Sequence, residues 1–151
     1  MCYHNNLLIL HIILTSSLLP FPIAFSIIQK YHHCSDTRGS YDAGSNYSQS
    51  LKQLVDDLRE NTPNTNRYKL NASYAEDPTS RVYGRARCSS DVSKEDCSIC
   101  LTKAMSRLVK TYCKDSLEAI IGLKYPGANC QFKYSDVDFL RKEKIDEDNV
   151  M

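Results

Sequence analysis

Three cysteines in a short polar stretch constrain the fold of this chain more than any other feature of its sequence. Residues 88–100 read CSSDVSKEDCSIC, with eight residues between the first and second cysteines and two between the second and third. Such cysteines can bind a metal, form a redox pair or form disulfides, and the redox compartment decides which chemistry is available. The first question is therefore whether the chain is exported.

The N-terminal residues predict export. Residues 7–19, LLILHIILTSSLL, form an apolar run without a charge, and two prolines and small residues follow up to Ser26. This pattern predicts a signal peptide over residues 1–26, after whose removal we expect no stable membrane insertion. The first six residues lack Lys and Arg, and the apolar stretch through Ile28 is long enough to span a bilayer. An uncleaved membrane anchor is therefore the alternative.

Cleavage would remove Cys2 and leave an even number of cysteines. The six that remain are Cys34, Cys88, Cys97, Cys100, Cys113 and Cys130. An even count in a secreted chain predicts three disulfides. A zinc site would need four ligands, whereas the CxxC motif has no matching second pair, and a thioredoxin-like redox site would need a βαβ pattern that the sequence does not show. We therefore favour disulfides and expect neither a metal nor a cofactor.

Charge and motifs exclude several classes of function. Nineteen Lys and Arg residues nearly balance eighteen Asp and Glu residues, for a formal net charge of +1. This balance argues against a polybasic binder of nucleic acids or membranes. The sequence contains no evident Ser–His–Asp arrangement, phosphate-binding glycine loop or carboxylate pair, so we expect no enzymatic activity. We interpret His32 and His33 as strand or surface residues.

Two segments have the periodicity of amphipathic helices. In residues 45–61 apolar side chains recur every three or four positions, and Pro63 lies just beyond the segment. A second helix is predicted to begin after Ser93, because Ser93 and Asp96 have the spacing of a capping box. Its apolar positions continue to about Tyr112.

Five shorter segments have strand signals. They are residues 27–34, 68–74, 81–88, 119–125 and 129–134. Two helices beside hairpin-connected strands predict a single α+β domain, with an antiparallel sheet of about five strands and both helices packed on one face. The C-terminal tail, residues 136–151, is rich in charged side chains, and we expect it to be largely disordered.

The cysteine-containing segment also resembles a known family. The residues YGRARCSSDVSKEDCSICLTKAMSRLVKTYC resemble the plant cysteine-rich repeat secretory family, also called DUF26 or Gnk2 domains, whose signature is C-x8-C-x2-C. The segments LVDDLRENT, VYGRARC and EDCSICL are similar to the ginkbilobin-like branch of single-domain seed proteins. The resemblance covers residues 27–135 and implies a secreted, apoplastic Gnk2-like domain.

The resemblance implies a disulfide pairing. In this family the first cysteine bonds to the fifth, the second to the third and the fourth to the sixth. The implied pairs here are Cys34–Cys113, Cys88–Cys97 and Cys100–Cys130. Cys97 and Cys100 share one face of a helix, where they are too constrained to bond easily to each other and can reach two different strands.

The ginkbilobin-like branch further implies a mannose-binding lectin with antifungal activity, directed at mannose-type glycans of fungal cell walls. The family holds the sugar with an Asn, an Arg and a Glu, and the matching positions here are Ser35, Lys124 and Ser135, with Asp136 beside the last. Lys lacks the planar two-pronged donor of Arg, and the carboxylate is lost unless Asp136 replaces it. We therefore expect a degenerate sugar site. The alternative is a non-lectin module that binds an apoplastic protein.

Two sequons predict N-glycosylation. Asn71 lies in NAS, near the end of a predicted exposed strand, and Asn46 lies in NYS. We expect a glycan at Asn71. Asn46 stands at the start of the first helix, where its side chain is also a candidate N-cap.

Overall fold

The computed structural model describes residues 28–66, 69–125 and 127–141. They form one antiparallel sheet and two helices, as predicted. The strands are β1 (Ile28–Cys34), β2 (Lys69–Tyr74), β3 (Val82–Cys88), β4 (Glu118–Tyr125) and β5 (Ala128–Ser135). Their order across the sheet is β1-β4-β5-β3-β2, and every neighbouring pair is antiparallel.

Both helices begin at a serine cap. Helix α1 (Asn46–Asn61) has Ser45 as its N-cap, so the expectation that Asn46 could cap this helix is wrong. The helix continues into a 3₁₀ turn, Thr62–Asn64, that contains the proline expected to end it. Side-chain oxygens of serine satisfy N–H groups that a first helical turn otherwise leaves unpaired.

The second helix confirms the predicted capping box. Helix α2 (Lys94–Arg107) starts after Ser93, whose hydroxyl oxygen accepts a hydrogen bond from the backbone N–H of Asp96. A five-residue π-helical turn, Leu108–Tyr112, extends it to the predicted end. A π-helical turn is rare, and here it precedes Cys113.

The two helices cover one face of the sheet. Side chains alternate along each strand, so one set faces the helices and the other faces away. On β4 and β5 most of the helix-facing set is apolar and buried, and Ile121, Leu123 and Phe132 are fully buried. Leu54 and Leu58 of α1 pack into the same core. We call this side the covered face and the other side the open face.

Three disulfides tie helices and strands together on the covered side. They join Cys34 to Cys113, Cys88 to Cys97, and Cys100 to Cys130, which is the pairing that the family resemblance implies. Cys88 and Cys130 are directly opposite each other on β3 and β5. The CxxC motif therefore fastens one face of α2 to a cross-strand pair.

Some predictions fall outside the described residues. These are the signal peptide over residues 1–26, the first residues of the strands predicted to begin at Ile27 and Tyr68, and the tail beyond Arg141. Within the described ranges, none of the helices combines the length and the apolar character that crossing a bilayer requires.

Candidate functional site

Three of the four predicted sugar residues meet at one end of the sheet. Ser35 follows β1, and its backbone N–H donates a hydrogen bond of 3.0 Å to the carbonyl of Glu118, the first residue of β4. Glu118 is directly opposite Ser135, the last residue of β5, and Asp136 comes next along the chain. Antiparallel pairing of β1, β4 and β5 thus brings these positions together.

Lys124 lies at the other end of the same strand. It pairs with Ile28 of β1 and Asn129 of β5, six positions along β4 from Glu118. At about 3.3 Å per strand residue, the two positions are roughly 20 Å apart. The structure therefore does not bring Lys124 together with the other predicted sugar residues.

Arg38 is the cation that the structure places beside these residues. Its Nη2 and Nε lie 2.9 and 3.2 Å from Oδ1 of Asp136, and its Nε lies 3.8 Å from Oε2 of Glu118. About a third of each of these three side chains remains exposed. We call Ser35, Arg38, Glu118 and Asp136 the Arg38 cluster.

The loop after β1 fixes the position of Arg38. Gly39 adopts a positive φ of 83°, and its carbonyl accepts a hydrogen bond from Leu117. Ser40 then forms an isolated bridge with Ser116. A positive φ is accessible to glycine without a steric penalty, so Gly39 lets the chain turn back toward the start of β4.

Ser135 does not present its hydroxyl to solvent. Its residue surface is 2% exposed, and its Oγ accepts a hydrogen bond of 3.1 Å from the backbone N–H of Val137. The side chain therefore supports the turn after β5, and a sugar contact of Ser135 stays a prediction. The hydroxyl of Ser35 lies 3.3 Å from that of Thr37 in an exposed contact.

The Arg38 cluster has the groups that recognise hydroxyls. A guanidinium presents several N–H donors in one plane, and the carboxylates of Glu118 and Asp136, both within 4 Å of it, present acceptors. Neighbouring hydroxyls of a pyranose both donate and accept, so a cluster of this kind can bind one edge of a neutral sugar. Among the described residues, no group of three His, Cys, Asp or Glu is arranged to hold a metal ion.

Arg38 and Glu118 carry no signal in the sequence. Arg38 lies in a loop without periodicity, and Glu118 is one of many charged residues. Only the β1–β4 register brings them together. The spacing of Arg38 from Cys34, four residues before it, is the one feature that could have drawn attention to this loop.

The two sequon asparagines lie on different surfaces, and both are exposed. Asn46 donates a side-chain hydrogen bond to Asp77. That bond and those from Thr79 and Ser80 lower the pKa of Asp77 to about 2, with Thr79 the largest contributor. Asn71 lies on β2, directly opposite Arg85 of β3.

The family comparison covers most of the described chain. Residues 33–137 match the Stress-antifung family, described as salt stress response/antifungal. The chain is 33% identical over 119 residues to cysteine-rich repeat secretory protein 38 of Arabidopsis thaliana, covering 79% of this chain and 43% of that protein. It is 30% identical over 100 residues to antifungal protein ginkbilobin-2 of Ginkgo biloba, covering 64% of this chain and 69% of that protein.

A solved structure shares the fold. The tandem DUF26 ectodomain of the cysteine-rich receptor-like protein PDLP5 of Arabidopsis thaliana superposes with a TM-score of 0.62 at 24% identity. The match covers 74% of this chain and 51% of that one. The chain thus spans less than half of the first curated relative and about half of this ectodomain.

The disulfides and the family together settle the compartment. Three disulfides persist in an oxidising environment, and relatives include secretory and antifungal proteins, so the protein is extracellular. The chain belongs to the Stress-antifung family of salt stress response and antifungal proteins, which carries the DUF26 or Gnk2 domain.

Proposed function

We propose that this protein is a plant-defence protein that acts by binding, not by catalysis, and that it weakly binds mannose-type glycans of fungal cell walls through the Arg38 cluster. One observation carries the proposal. The positions where the family resemblance puts a sugar-binding Asn and Glu are brought together in this structure, and Arg38 lies within 4 Å of two carboxylates beside them.

The chemistry of the cluster supports weak binding. Hydrogen bonds contribute about 0.5–1.5 kcal/mol each, and up to about 3 kcal/mol when one partner is charged. Three or four uncharged hydrogen bonds of about 1 kcal/mol each contribute about 3–4 kcal/mol. This is close to the 4.1 kcal/mol that corresponds to a dissociation constant of about 1 mM. Arg38 already binds Asp136, so a sugar must compete with this ion pair or add to it. Repeated mannose units on a cell wall would offset the low affinity of a single site.

The relatives support a defence role at the level of the family. Ginkbilobin-2 is named an antifungal protein, and this chain covers 69% of its length. The family model itself is described as salt stress response/antifungal. Antifungal activity of the present chain rests on that likeness.

Binding to immobilised yeast mannan tests the proposal. We expect the protein to bind mannan, free mannose to reverse this binding, and Arg38→Met to weaken it about tenfold, because the variant removes a charged donor while keeping much of the side-chain volume. Lys124→Met is the matched control, because it makes the same charge change about 20 Å away on the same strand. We expect it to bind mannan like the parent protein.

Two outcomes would reject the sugar site. Mannan binding that is unaffected by Arg38→Met but lost in Lys124→Met would place the site at the other end of the sheet. Absence of mannan binding would favour the second candidate function, a module that binds an apoplastic protein. The observation favouring that candidate is that Arg38 and Asp136 already bind each other and Ser135 is buried.

We further propose that Asn71 carries an N-linked glycan. It is exposed, and it lies on β2, which is an edge strand of the sheet. Asn46 is the weaker candidate, because its amide is bonded to Asp77. Enzymatic deglycosylation of plant-expressed protein should lower its mass, and Asn71→Gln should abolish that change; an unchanged mass would reject the proposal.

A further inference from the structure

The open face of the sheet carries a concentration of positive charge that the net charge of the chain conceals. Among the described strand positions on this face, basic side chains stand on four neighbouring strands, at Lys69, Arg85, Arg87, Lys133 and Lys124. The acidic residue on this face is Glu118, at the end that holds the Arg38 cluster. The middle of the face is therefore basic although the chain as a whole is nearly neutral.

These basic residues face one another across the strands. Arg85 is directly opposite Lys133, and Arg87 is directly opposite Lys69. Like charges directly opposite on neighbouring strands destabilise a sheet. The pKa of Lys133 is lowered, mainly by burial and also by Arg85, while Glu118 acts in the opposite direction. The Nζ of Lys133 also lies 4.1 Å from the ring centroid of Phe139, so this lysine has a partner within the fold. Arg87 is the cation of this group that lines the depression described below.

An aromatic ring lies flat on the same face. Tyr31 of β1 packs over Gly122 of β4, where an added Cβ would lie 2.4 Å from the ring atom Cε1 of Tyr31. The tyrosine is nevertheless 43% exposed. A glycine at this position allows the ring to lie against the sheet with its other face toward solvent, which is how an aromatic side chain presents a platform for an apolar ligand surface.

A shallow depression of about 350 Å³ connects the ring to the basic residues. Its lining includes Lys30, Tyr31, Arg87, Ser89, Asn129 and Gln131. Tyr31, Gly122, Gln131 and Arg87 occupy one row across four neighbouring strands. Strands lie about 4.8 Å apart, so the row from Tyr31 to Arg87 is roughly 14 Å long.

One polar atom in this depression lacks a partner. The amide nitrogen of Gln131 donates to the hydroxyl of Tyr31, and its Oε1 is buried without a hydrogen-bond donor among the described residues. Exchanging the amide oxygen and nitrogen would only move the deficit to the other atom. Buried polar groups are normally paired, so this one marks a place where a ligand hydroxyl can supply the missing bond once the Tyr31 side chain shifts.

We propose that the row from Tyr31 to Arg87 binds a linear acidic polysaccharide, with a uronic acid unit in the depression. The apolar face of the sugar ring would lie on Tyr31, its hydroxyls would bond to Gln131 and Asn129, and its carboxylate would pair with Arg87. A further carboxylate along the polymer would meet Lys30, which lines the same depression. This site is separate from the neutral-sugar site proposed at the Arg38 cluster and does not depend on it.

The combination of groups favours an acidic sugar over other anions. A nucleic acid is bound by a basic surface with several aromatic rings on which successive bases stack, and this row has one. An acidic peptide would use the cations but would leave the ring and the amides without a specific role. A uronic acid unit has a ring face, hydroxyls and a carboxylate together, which matches all three features.

Binding of polygalacturonate oligomers to the full chain, measured by calorimetry at low salt, tests this proposal. We expect Lys30→Gln/Arg87→Gln to weaken binding about tenfold, because both cations line the depression and exposed ion pairs contribute up to about a factor of five each. The matched control is Lys103→Gln/Lys110→Gln, which makes the same charge change on exposed helical positions. We expect this control to change binding less than twofold. If the double variant does not fold, the single variant Arg87→Gln is compared with the parent protein in the same experiment.

The ring and the class of polymer are tested separately. Tyr31→Ala should weaken binding several-fold, whereas Tyr31→Phe, which retains the ring, should weaken it less. Polyglutamate and single-stranded DNA of equal charge should compete poorly, and neutral mannan should not compete. Three results would overturn the proposal. Equal weakening by both double variants would show that only net charge matters, and equal competition by polyglutamate or DNA would show a general polyanion surface. Absence of polygalacturonate binding would show that this face holds no such site.

Discussion

The two faces of the sheet differ in what they contribute. The covered face is mostly apolar and buried on β4 and β5, and it is bonded to α2 by two disulfides. The open face carries cations, amides and one exposed tyrosine ring, and the Arg38 cluster stands at its end. Side chains alternate along each strand, so the same strands supply buried residues that stabilise the fold on one face and exposed residues that can bind a ligand on the other.

The largest effect on stability is expected from the disulfides. Loop-closure entropy predicts stabilisation of about 4.5, 3.6 and 2.6 kcal/mol for cross-links with sequence separations of 79, 30 and 9 residues. Replacing both cysteines of Cys34–Cys113 with alanine should therefore lower the free energy of unfolding most. Denaturant unfolding of the three paired alanine variants checks the order, and a largest loss for Cys88–Cys97 would contradict it.

A glycine on the covered face should be the next most sensitive position. An added Cβ at Gly84 would lie 2.5 Å from a methyl group of Leu54, which is fully buried. We expect Gly84→Ala to lower the free energy of unfolding by about 1–3 kcal/mol, and Leu54→Ala to lower it by about 2–5 kcal/mol.

The double variant is the control for this contact. In Leu54→Ala/Gly84→Ala the new methyl group enters the space that the leucine vacates, so the combined loss should be smaller than the sum of the single losses. Strict additivity in denaturant unfolding would show that the two residues do not compete for the same space.

Alkaline pH should destabilise the covered face through two tyrosines. Tyr47 and Tyr134 donate hydrogen bonds to the backbone carbonyls of Leu117 and Ser116. Burial, as the main cause, raises the pKa of both phenols well above the usual value of 10. Their contribution is therefore fully present below pH 10 and is lost as pH rises beyond it, because the unfolded state then releases protons that the folded state retains.

Unfolding measured from pH 8 to 12 checks this expectation. The free energy of unfolding should fall above pH 10, and Tyr47→Phe should make the fall less steep because one of the two phenols is removed. A slope that is unchanged in both Tyr47→Phe and Tyr134→Phe would show that other groups cause the alkaline loss.

The smallest effect on stability is expected at the glycine of the open face. An added Cβ at Gly122 meets the ring of Tyr31, which is exposed and can swing toward solvent. Gly122→Ala should therefore change the free energy of unfolding by less than Gly84→Ala does. Thermal unfolding of the two alanine variants compares them directly, and an equal loss would show that the two faces are equally close-packed.

The sequence was sufficient to predict the helices and strands, but it was not sufficient to predict the Arg38 cluster. Capping by Ser93, the stripe of α1 and the alternation of the strands are local patterns, and the structure confirms them. The disulfide pairing followed from the family resemblance, because an even cysteine count alone allows many pairings.

Lys124 shows why the site needed the structure. The β4–β5 pairing extends from Glu118 and Ser135 to Tyr125 and Ala128. Lys124 is close to the Tyr125 end, so it lies far from Glu118 at the start of β4. The family resemblance placed a cation by its neighbours in the chain, whereas the Arg38 cluster is formed by neighbours across strands. Arg38 entered the site through a turn at Gly39 that has no periodic signal.

Mapping of amide chemical shifts during titration with a mannan-derived oligosaccharide tests most directly whether the open face binds ligand while the covered face holds the fold. The account predicts that the largest shifts occur at Ser35, Arg38, Glu118 and Asp136, and that the amides of α1 and α2 remain unchanged. Shifts concentrated instead in the cleft of about 410 Å³ between the helices, lined by Leu51, Val55, Met105 and Val109, would contradict it.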